Sequence, residues 1–69
     1  MWSKPVFSSM CSKIGWDDDS GELIVTWTNG RVSAYAGVSE DVAIECSKAA
    51  SVGTFLNYSV KPFYRHRYK

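Results

Sequence analysis

The sequence has few of the residues on which metal and redox sites depend. It contains one histidine and two cysteines, Cys11 and Cys46, which stand far apart in the chain. A structural zinc site needs about four cysteine or histidine ligands, so no zinc site is predicted. Two cysteines are also too few for a disulfide framework, and we predict that both are buried free thiols.

Long apolar segments are absent as well. No run approaches the roughly 18 to 20 apolar residues that span a bilayer, and the first ten residues lack the continuous apolar stretch of a secretory signal. We therefore expect a cytoplasmic protein with no membrane partner. The 69 residues are nevertheless 45% apolar, which predicts a folded core. We expect one domain, 1–69, with an N-terminal arm at 1–8, a core at 9–64 and a basic tail at 65–69.

Charge is distributed unevenly along the chain. The net charge is +1, but the residues up to Ser59 carry four bases against seven acids, a balance of −3. From Val60 onward there are four bases and no acid, a balance of +4, made up of Lys61, Arg65, Arg67 and Lys69. Aromatic residues are interleaved with these bases, which favours contact with an anionic partner.

The strongest local pattern predicts a β-hairpin. Two β-branched and aromatic runs, 22–28 and 31–36, flank Asn29-Gly30, a pair typical of a two-residue type I′ turn. Such a turn pairs Trp27 with Val32 and sets the two faces of the hairpin. The predicted core face carries Leu23, Val25, Trp27, Val32, Ala34 and Ala36. The predicted polar face carries Ile24, Thr26, Thr28, Arg31, Ser33 and Tyr35.

A third strand and two helices complete the predicted fold. Met10–Trp16 is the third strand, and the three aspartates that follow it lack the remaining ligands of a calcium loop, so no metal site is expected. Ser39 is the predicted N-cap of the first helix, and Thr54 that of a second helix, which Pro62 kinks. The fold class is α+β, a three-stranded antiparallel meander packed on one face by two C-terminal helices (β-β-β-α-α). Predicted core positions are Leu23, Val25, Trp27, Val32, Val42, Cys46, Leu56 and Val60.

A series of residues along most of the chain matches a known family in order and spacing. They are Ser9, Ile14-Gly15-Trp16-Asp17, Gly30, Val32, Tyr35, Gly37-Val38, Ala50-Ser51, Gly53, Asn57, Val60-Lys61 and Tyr64. The chain thereby resembles the KTSC domain, found at the C-terminus of some lysyl-tRNA synthetases and alone in bacterial and phage proteins. The resemblance implies RNA binding, as suggested for the synthetase-linked form. The chain departs from the family where its central Tyr-x-Tyr reads Ser33-Ala34-Tyr35 and where a usual proline is Ser39.

Catalytic equipment is sparse. His66, the single histidine, lies in a basic segment with no acid nearby in sequence. No serine or cysteine stands in an activating context, and no glycine-rich phosphate loop is present. We therefore predict a non-enzymatic binding module with no catalytic residue, no cofactor and no metal.

Two classes of partner follow from the remaining residues. Three Trp and four Tyr exceed the needs of so small a core, and such residues anchor protein interfaces. We expect a bacterial or phage-encoded regulator or inhibitor that docks on a larger host protein. The alternative is an RNA or single-stranded nucleic-acid-binding module, and a homodimer formed through an edge strand is a further option. The candidate binding residues are Arg31, Ser33 and Tyr35 on the open sheet face, Lys61, Arg65, Arg67 and Tyr68 near the end of the chain, and Trp2 as an outlying anchor.

Overall fold

The protein is an antiparallel sheet with two helices against one face. The computed structural model describes residues 1–69. Five strands lie side by side in chain order: β1 (Trp2–Pro5), β2 (Cys11–Asp17), β3 (Glu22–Trp27), β4 (Val32–Ala36) and β5 (His66–Tyr68). The α+β class, the antiparallel sheet and the two helices are confirmed, but the expectation of three strands is wrong.

The two strands that the sequence did not predict are the edges of the sheet. β1 pairs with β2, and β5 pairs with β4. Both are short and largely exposed, so neither shows the alternation of apolar and polar residues that marks a half-buried strand. The segment 1–8 therefore contains strand β1, and the basic tail 65–69 contains strand β5.

The first helix forms where predicted. α1 (Glu40–Lys48) begins at Ser39, whose Oγ accepts a hydrogen bond from the backbone N–H of Val42 at 3.4 Å. Acidic residues occupy its first turn, where they favour the positive end of the helix dipole. The helix ends at Lys48.

The second helix starts earlier and ends sooner than predicted. α2 (Val52–Phe55) is capped by Ser51 rather than by Thr54, because the Ser51 Oγ accepts from the backbone N–H of Thr54. A π turn (Leu56–Val60) follows directly. The chain then leaves the helix before Pro62, which therefore causes no kink within it.

The β3–β4 hairpin differs in register from the prediction by one residue. Its loop has three residues, 28–30, because the backbone N–H of Trp27 bonds to the carbonyl of Arg31. Only Gly30 has a positive φ in this loop, at 90°, so the type I′ turn is not formed. Thr26 consequently pairs with Val32, and every residue of β4 lies on the face opposite to the predicted one.

This shift places Ser33 and Tyr35 on the core side of the sheet. Ser33 is 0% and Tyr35 2% exposed, so the expectation that they lie on an open polar face is wrong. The core cluster consists of Cys11, Ile14, Leu23, Val25, Tyr35, Val38, Ala43, Cys46, Val52, Leu56 and Val60. Trp27 and Val42 are half-buried against it, and Val32 is half-buried on the other face. The other predicted core positions are confirmed.

Both thiols lie inside this core as free cysteines, as predicted. Burial raises the pKa of Cys46 to about 12 and that of Cys11 in the same direction. Both thiols therefore stay protonated at neutral pH and pack as small apolar groups. No helix of the chain combines the length and the apolar character needed to cross a membrane.

Candidate functional site

An open basin lies beside the β4–β5 edge, on the core side of the sheet. Its volume is about 570 Å³, within the range of roughly 300–1,000 Å³ that is usual for small-ligand sites. The lining residues come from strands β3 to β5, from the hairpin loop, from the residues directly before β2 and β4, and from the residue after the π turn. They are Met10, Trp27, Asn29, Arg31, Ser33, Tyr35, Lys61, His66 and Tyr68.

Ser33 is the centre of a hydrogen-bond network in the basin wall. The Trp27 Nε1–H donates to the Ser33 Oγ at 2.7 Å, and the Ser33 Oγ lies 2.8 Å from the His66 Nε2. Because an indole N–H can only donate, the Ser33 Oγ accepts the hydrogen bond from Trp27. The network joins side chains of β3, β4 and β5 and so holds β5 against the sheet.

Aromatic rings form a continuous series along this wall. The ring centroids of Tyr35 and His66 are 5.1 Å apart, and those of His66 and Tyr68 are 4.6 Å apart in an edge-to-face arrangement. Tyr68 is 60% exposed, so much of its ring remains open to contact. Planar ligands stack on such a surface, because stacking removes apolar surface of both the protein ring and the ligand from water.

Two cations flank the rings. The guanidinium carbon of Arg31 lies 5.4 Å from the Tyr68 ring centroid, and the Lys61 Nζ lies 5.3 Å from the Trp27 ring centroid. Neither cation forms an ion pair, since the two ion pairs of the structure use the N-terminal amine and Arg67. No carboxylate lines the basin either. The positive charge of both residues is therefore available to an anionic ligand.

Arg67 does not belong to the basin. Its Nε and Nη2 donate to the two carboxylate oxygens of Glu22, each at 2.9 Å. Arg67 pairs with Ala34 in the strand register, so this ion pair lies on the face opposite to Ser33. The Arg67 hydrogen bonds hold the pKa of Glu22 below its ordinary value of 4.5. Arg67 thus clamps β5 from the outer face, while the Ser33 network holds it from the inner face.

Arg65 and Trp2 also lie outside the basin. Arg65 is exposed, and its backbone carbonyl accepts from the N–H of Ala36. Trp2 is half-buried on β1, at the opposite edge of the sheet, and its Nε1–H donates to the Glu40 Oε2 at 3.0 Å. A smaller hollow of about 290 Å³ lies there, lined by Trp2, Lys4, Ile44, Ser47 and Lys48.

The structure therefore brings together five of the eight predicted site residues. These are Arg31, Ser33, Tyr35, Lys61 and Tyr68, whereas Trp2, Arg65 and Arg67 lie elsewhere. The lining residues that sequence reasoning missed are Met10, Trp27, Asn29 and His66. The two-residue spacing of His66 and Tyr68 was the available signal, since it puts both rings on one face of a strand.

The Ser33–His66 pair has the composition of a nucleophile and its base, but its surroundings favour a structural role. Ser33 is 0% exposed, and its Oγ already accepts from the Trp27 indole. Nucleophilic catalysis needs a hydroxyl that a substrate can reach. The pair is a contact that holds β5 against the sheet.

The comparisons with known proteins agree with the resemblance seen in the sequence. A family model described as the KTSC domain matches residues 7–64. The chain belongs to the KTSC family. A KTSC domain protein from Yersinia pestis has a similar crystal structure, with a TM-score of 0.89 and 28% sequence identity over 99% of this chain and 96% of that one. No curated protein sequence matches this KTSC chain.

The corrected register changes where the central motif of this KTSC domain lies. The resemblance singled out Ser33 and Tyr35, and sequence reasoning placed both on an open sheet face. Both residues instead line the basin. Ser33, which stands where the family has an aromatic residue, accepts the indole N–H of Trp27 and contacts His66. The rings of the basin come from Trp27 of β3, Tyr35 of β4, and His66 and Tyr68 of β5.

Proposed function

We propose that this KTSC domain is a non-enzymatic module that binds single-stranded RNA at the basin. The observation that carries the proposal is the placement of two unpaired cations, with Arg31 beside the exposed Tyr68 ring and Lys61 beside the half-buried Trp27 ring. Cations neutralise backbone phosphates, and aromatic rings stack on bases. One surface of this chain therefore carries both kinds of contact that a single strand needs.

The form of the basin favours an unpaired strand over a duplex. Bases within a duplex are stacked on each other, whereas those of a single strand turn outward and stack on protein rings. The exposed Tyr68 ring stands at the basin, where an outward-turned base can reach it. The acidic balance of the rest of the chain is no obstacle locally, because no carboxylate lines the basin.

Fluorescence anisotropy with a labelled single-stranded RNA of mixed sequence tests the proposal. Two phosphate contacts predict that the affinity falls by about sevenfold between roughly 50 and 200 mM salt, since each contact on a single strand contributes a slope of about −0.7. A duplex of the same sequence is the control and should bind more weakly. Absence of binding to any single strand at the lower salt concentration would contradict the proposal.

A second candidate function is docking on a larger protein, as a regulator or inhibitor of a bacterial host enzyme. It is supported by exposed rings away from the basin, since Phe7 is 104%, Tyr58 76% and Phe63 74% exposed. Aromatic residues of this kind anchor protein interfaces. Affinity purification from bacterial lysate with and without nuclease separates the two functions. A stoichiometric protein that survives nuclease supports docking, whereas recovered RNA that nuclease removes supports the basin.

A further inference from the structure

The Tyr35 hydroxyl is a polar group of the basin that no protein group satisfies. Tyr35 is 2% exposed and lines the basin, and its hydroxyl makes no hydrogen bond within the chain. No fully enclosed side-chain polar atom of the protein lacks a partner. The hydroxyl must therefore keep some access to solvent, and the basin is the open space that Tyr35 borders.

This hydroxyl is suited to donate a hydrogen bond to a ligand. Burial raises the pKa of Tyr35, so the phenol remains protonated at neutral pH. Nearly all buried polar groups in proteins have partners, and a ligand acceptor in the basin would be a partner for this hydroxyl.

We infer that the basin binds one nucleotide as a unit, with the Tyr35 hydroxyl donating a hydrogen bond to it. This inference rests on the proposed function and narrows it. The base stacks on the exposed Tyr68 ring, and the phosphate is attracted by Arg31 and Lys61. Tyr35 supplies the directional contact inside the basin, and it is thus a specificity-determining residue rather than only a core residue.

The chemistry of the wall explains why both halves of a nucleotide are needed. A nucleoside offers a ring for stacking but leaves the two cations without a partner. A sugar phosphate satisfies the cations but leaves the aromatic surface in contact with water. The same recognition applies to a free mononucleotide and to one nucleotide within an RNA strand, and these two sources are distinguished by experiment.

The test is an NMR titration of the isotope-labelled chain with AMP, adenosine, ribose 5-phosphate and a short oligo(A). We expect AMP to shift the backbone resonances of β4 and β5, and adenosine and ribose 5-phosphate to bind at least about tenfold more weakly. This comparison uses the unaltered protein, so it does not depend on whether a variant folds. Competition between AMP and the oligonucleotide shows whether both occupy the same place.

Tyr35→Phe tests the hydroxyl itself. The variant keeps the ring that contacts His66 and should weaken binding of AMP and of oligo(A) by about five- to tenfold. Tyr58→Phe is the matched control, because it removes a hydroxyl from an exposed tyrosine outside the basin and should change nothing. Thermal denaturation establishes that both variants are folded.

The outcomes separate the inference from the function on which it rests. Binding of oligo(A) that AMP does not displace, or that Tyr35→Phe leaves unchanged, would overturn the inference and leave RNA binding in place. Binding of AMP without binding of oligo(A) would support the inference and assign the basin to free nucleotides. Absence of binding to every one of these ligands would overturn both.

Discussion

The two edges of the sheet have similar residues and different surroundings. Each edge carries an aromatic residue and nearby lysine or arginine side chains, with Trp2 on β1 and Tyr68 on β5. At the β1 edge, the one polar atom of Trp2 is bonded to Glu40, and the hollow beside it measures about 290 Å³. At the β5 edge, rings and cations from several elements converge on a basin of about 570 Å³.

This difference shows that an edge strand becomes a binding surface when side chains of the neighbouring strands support it. Under β5, the Ser33 hydroxyl joins Trp27 and His66, so the wall is held by side chains of three strands. Beside β1, Gly15 of β2 lies against the backbone of Trp2. A side chain at this position would bring its Cβ within 2.8 Å of the Trp2 carbonyl oxygen. The hollow at this edge is lined only by residues of β1 and α1.

The largest expected effect is the loss of both basin cations. Arg31→Ala combined with Lys61→Ala should weaken binding of single-stranded RNA by about 30-fold at low salt, because two charge-assisted contacts are lost. The same double variant should show a weaker dependence of the affinity on salt concentration. Fluorescence anisotropy measures both quantities.

The matched control removes two cations from the other edge. Lys4→Ala combined with Lys48→Ala makes the same change in net charge beside Trp2 and should alter the affinity by less than about twofold. Equal losses in the two double variants would mean that net charge alone attracts RNA, and the comparison of the edges would fail.

A smaller effect is expected from the loss of one stacking ring. Tyr68→Ala should weaken RNA binding by about tenfold, since stacking of a base on an aromatic side chain contributes roughly 1 to 3 kcal/mol. Tyr58→Ala removes a more exposed tyrosine away from the basin and should have no effect on the measured affinity. If Tyr58→Ala weakens binding as much as Tyr68→Ala does, the strand binds over a different surface.

Loosening of β5 should have a weaker effect on binding and a measurable one on stability. Glu22→Gln removes the charge that Arg67 contacts, so it should lower the midpoint of thermal unfolding by several degrees at pH 7 and the RNA affinity by about threefold or less. Calorimetry and anisotropy give the two values. If Glu22→Gln weakens RNA binding as much as the Arg31→Ala, Lys61→Ala double variant does, Glu22 acts on the ligand directly.

The stability effect of Glu22→Gln has a defined pH dependence. The folded chain holds the pKa of Glu22 below 4.5, so its ionised form stabilises the fold above that pH, and this contribution is lost as the pH falls through the lowered value. The difference in unfolding midpoint between the native chain and Glu22→Gln should therefore shrink below about pH 4.5. A difference that stays constant down to pH 2 would rule out this ion pair as its source.

The smallest effect is expected at the β1 edge. Trp2→Phe removes the hydrogen bond to the exposed Glu40 and should lower the free energy of unfolding by about 1 kcal/mol or less. RNA affinity should not change, because Trp2 lies outside the basin. Chemical denaturation measures the free energy of unfolding, and anisotropy measures the RNA affinity. A fall in RNA affinity would show that Trp2 contributes to binding.

Much of the fold was predictable because its elements have strong local patterns. The β-branched run of β3 and the capping serine of α1 are of this kind. The register was not predictable, because Asn29-Gly30 is compatible with both a two-residue and a three-residue loop. The bond from the Arg31 N–H to the Asn29 Oδ1 accompanies the longer loop and is visible only in the structure.

The candidate site was predictable by residue type but not by position. Arg31, Tyr35, Lys61 and Tyr68 were selected because cations and aromatic residues suit an anionic ligand, yet Tyr35 was expected to face outward. His66 was set aside because no partner stands near it in sequence. Its partner is Ser33, which only the pairing of β5 with β4 brings within 2.8 Å.

The Ser33–His66 contact also has a consequence for the order of folding. It joins residues 33 positions apart, whereas the β3–β4 hairpin closes over three residues. Short loops close quickly, and long-range pairings form slowly because they carry a larger entropic cost. The basin is therefore completed only when the distant C-terminal strand docks. Ligand binding at the basin therefore reports that the whole domain has folded, whereas formation of the β3–β4 hairpin alone does not.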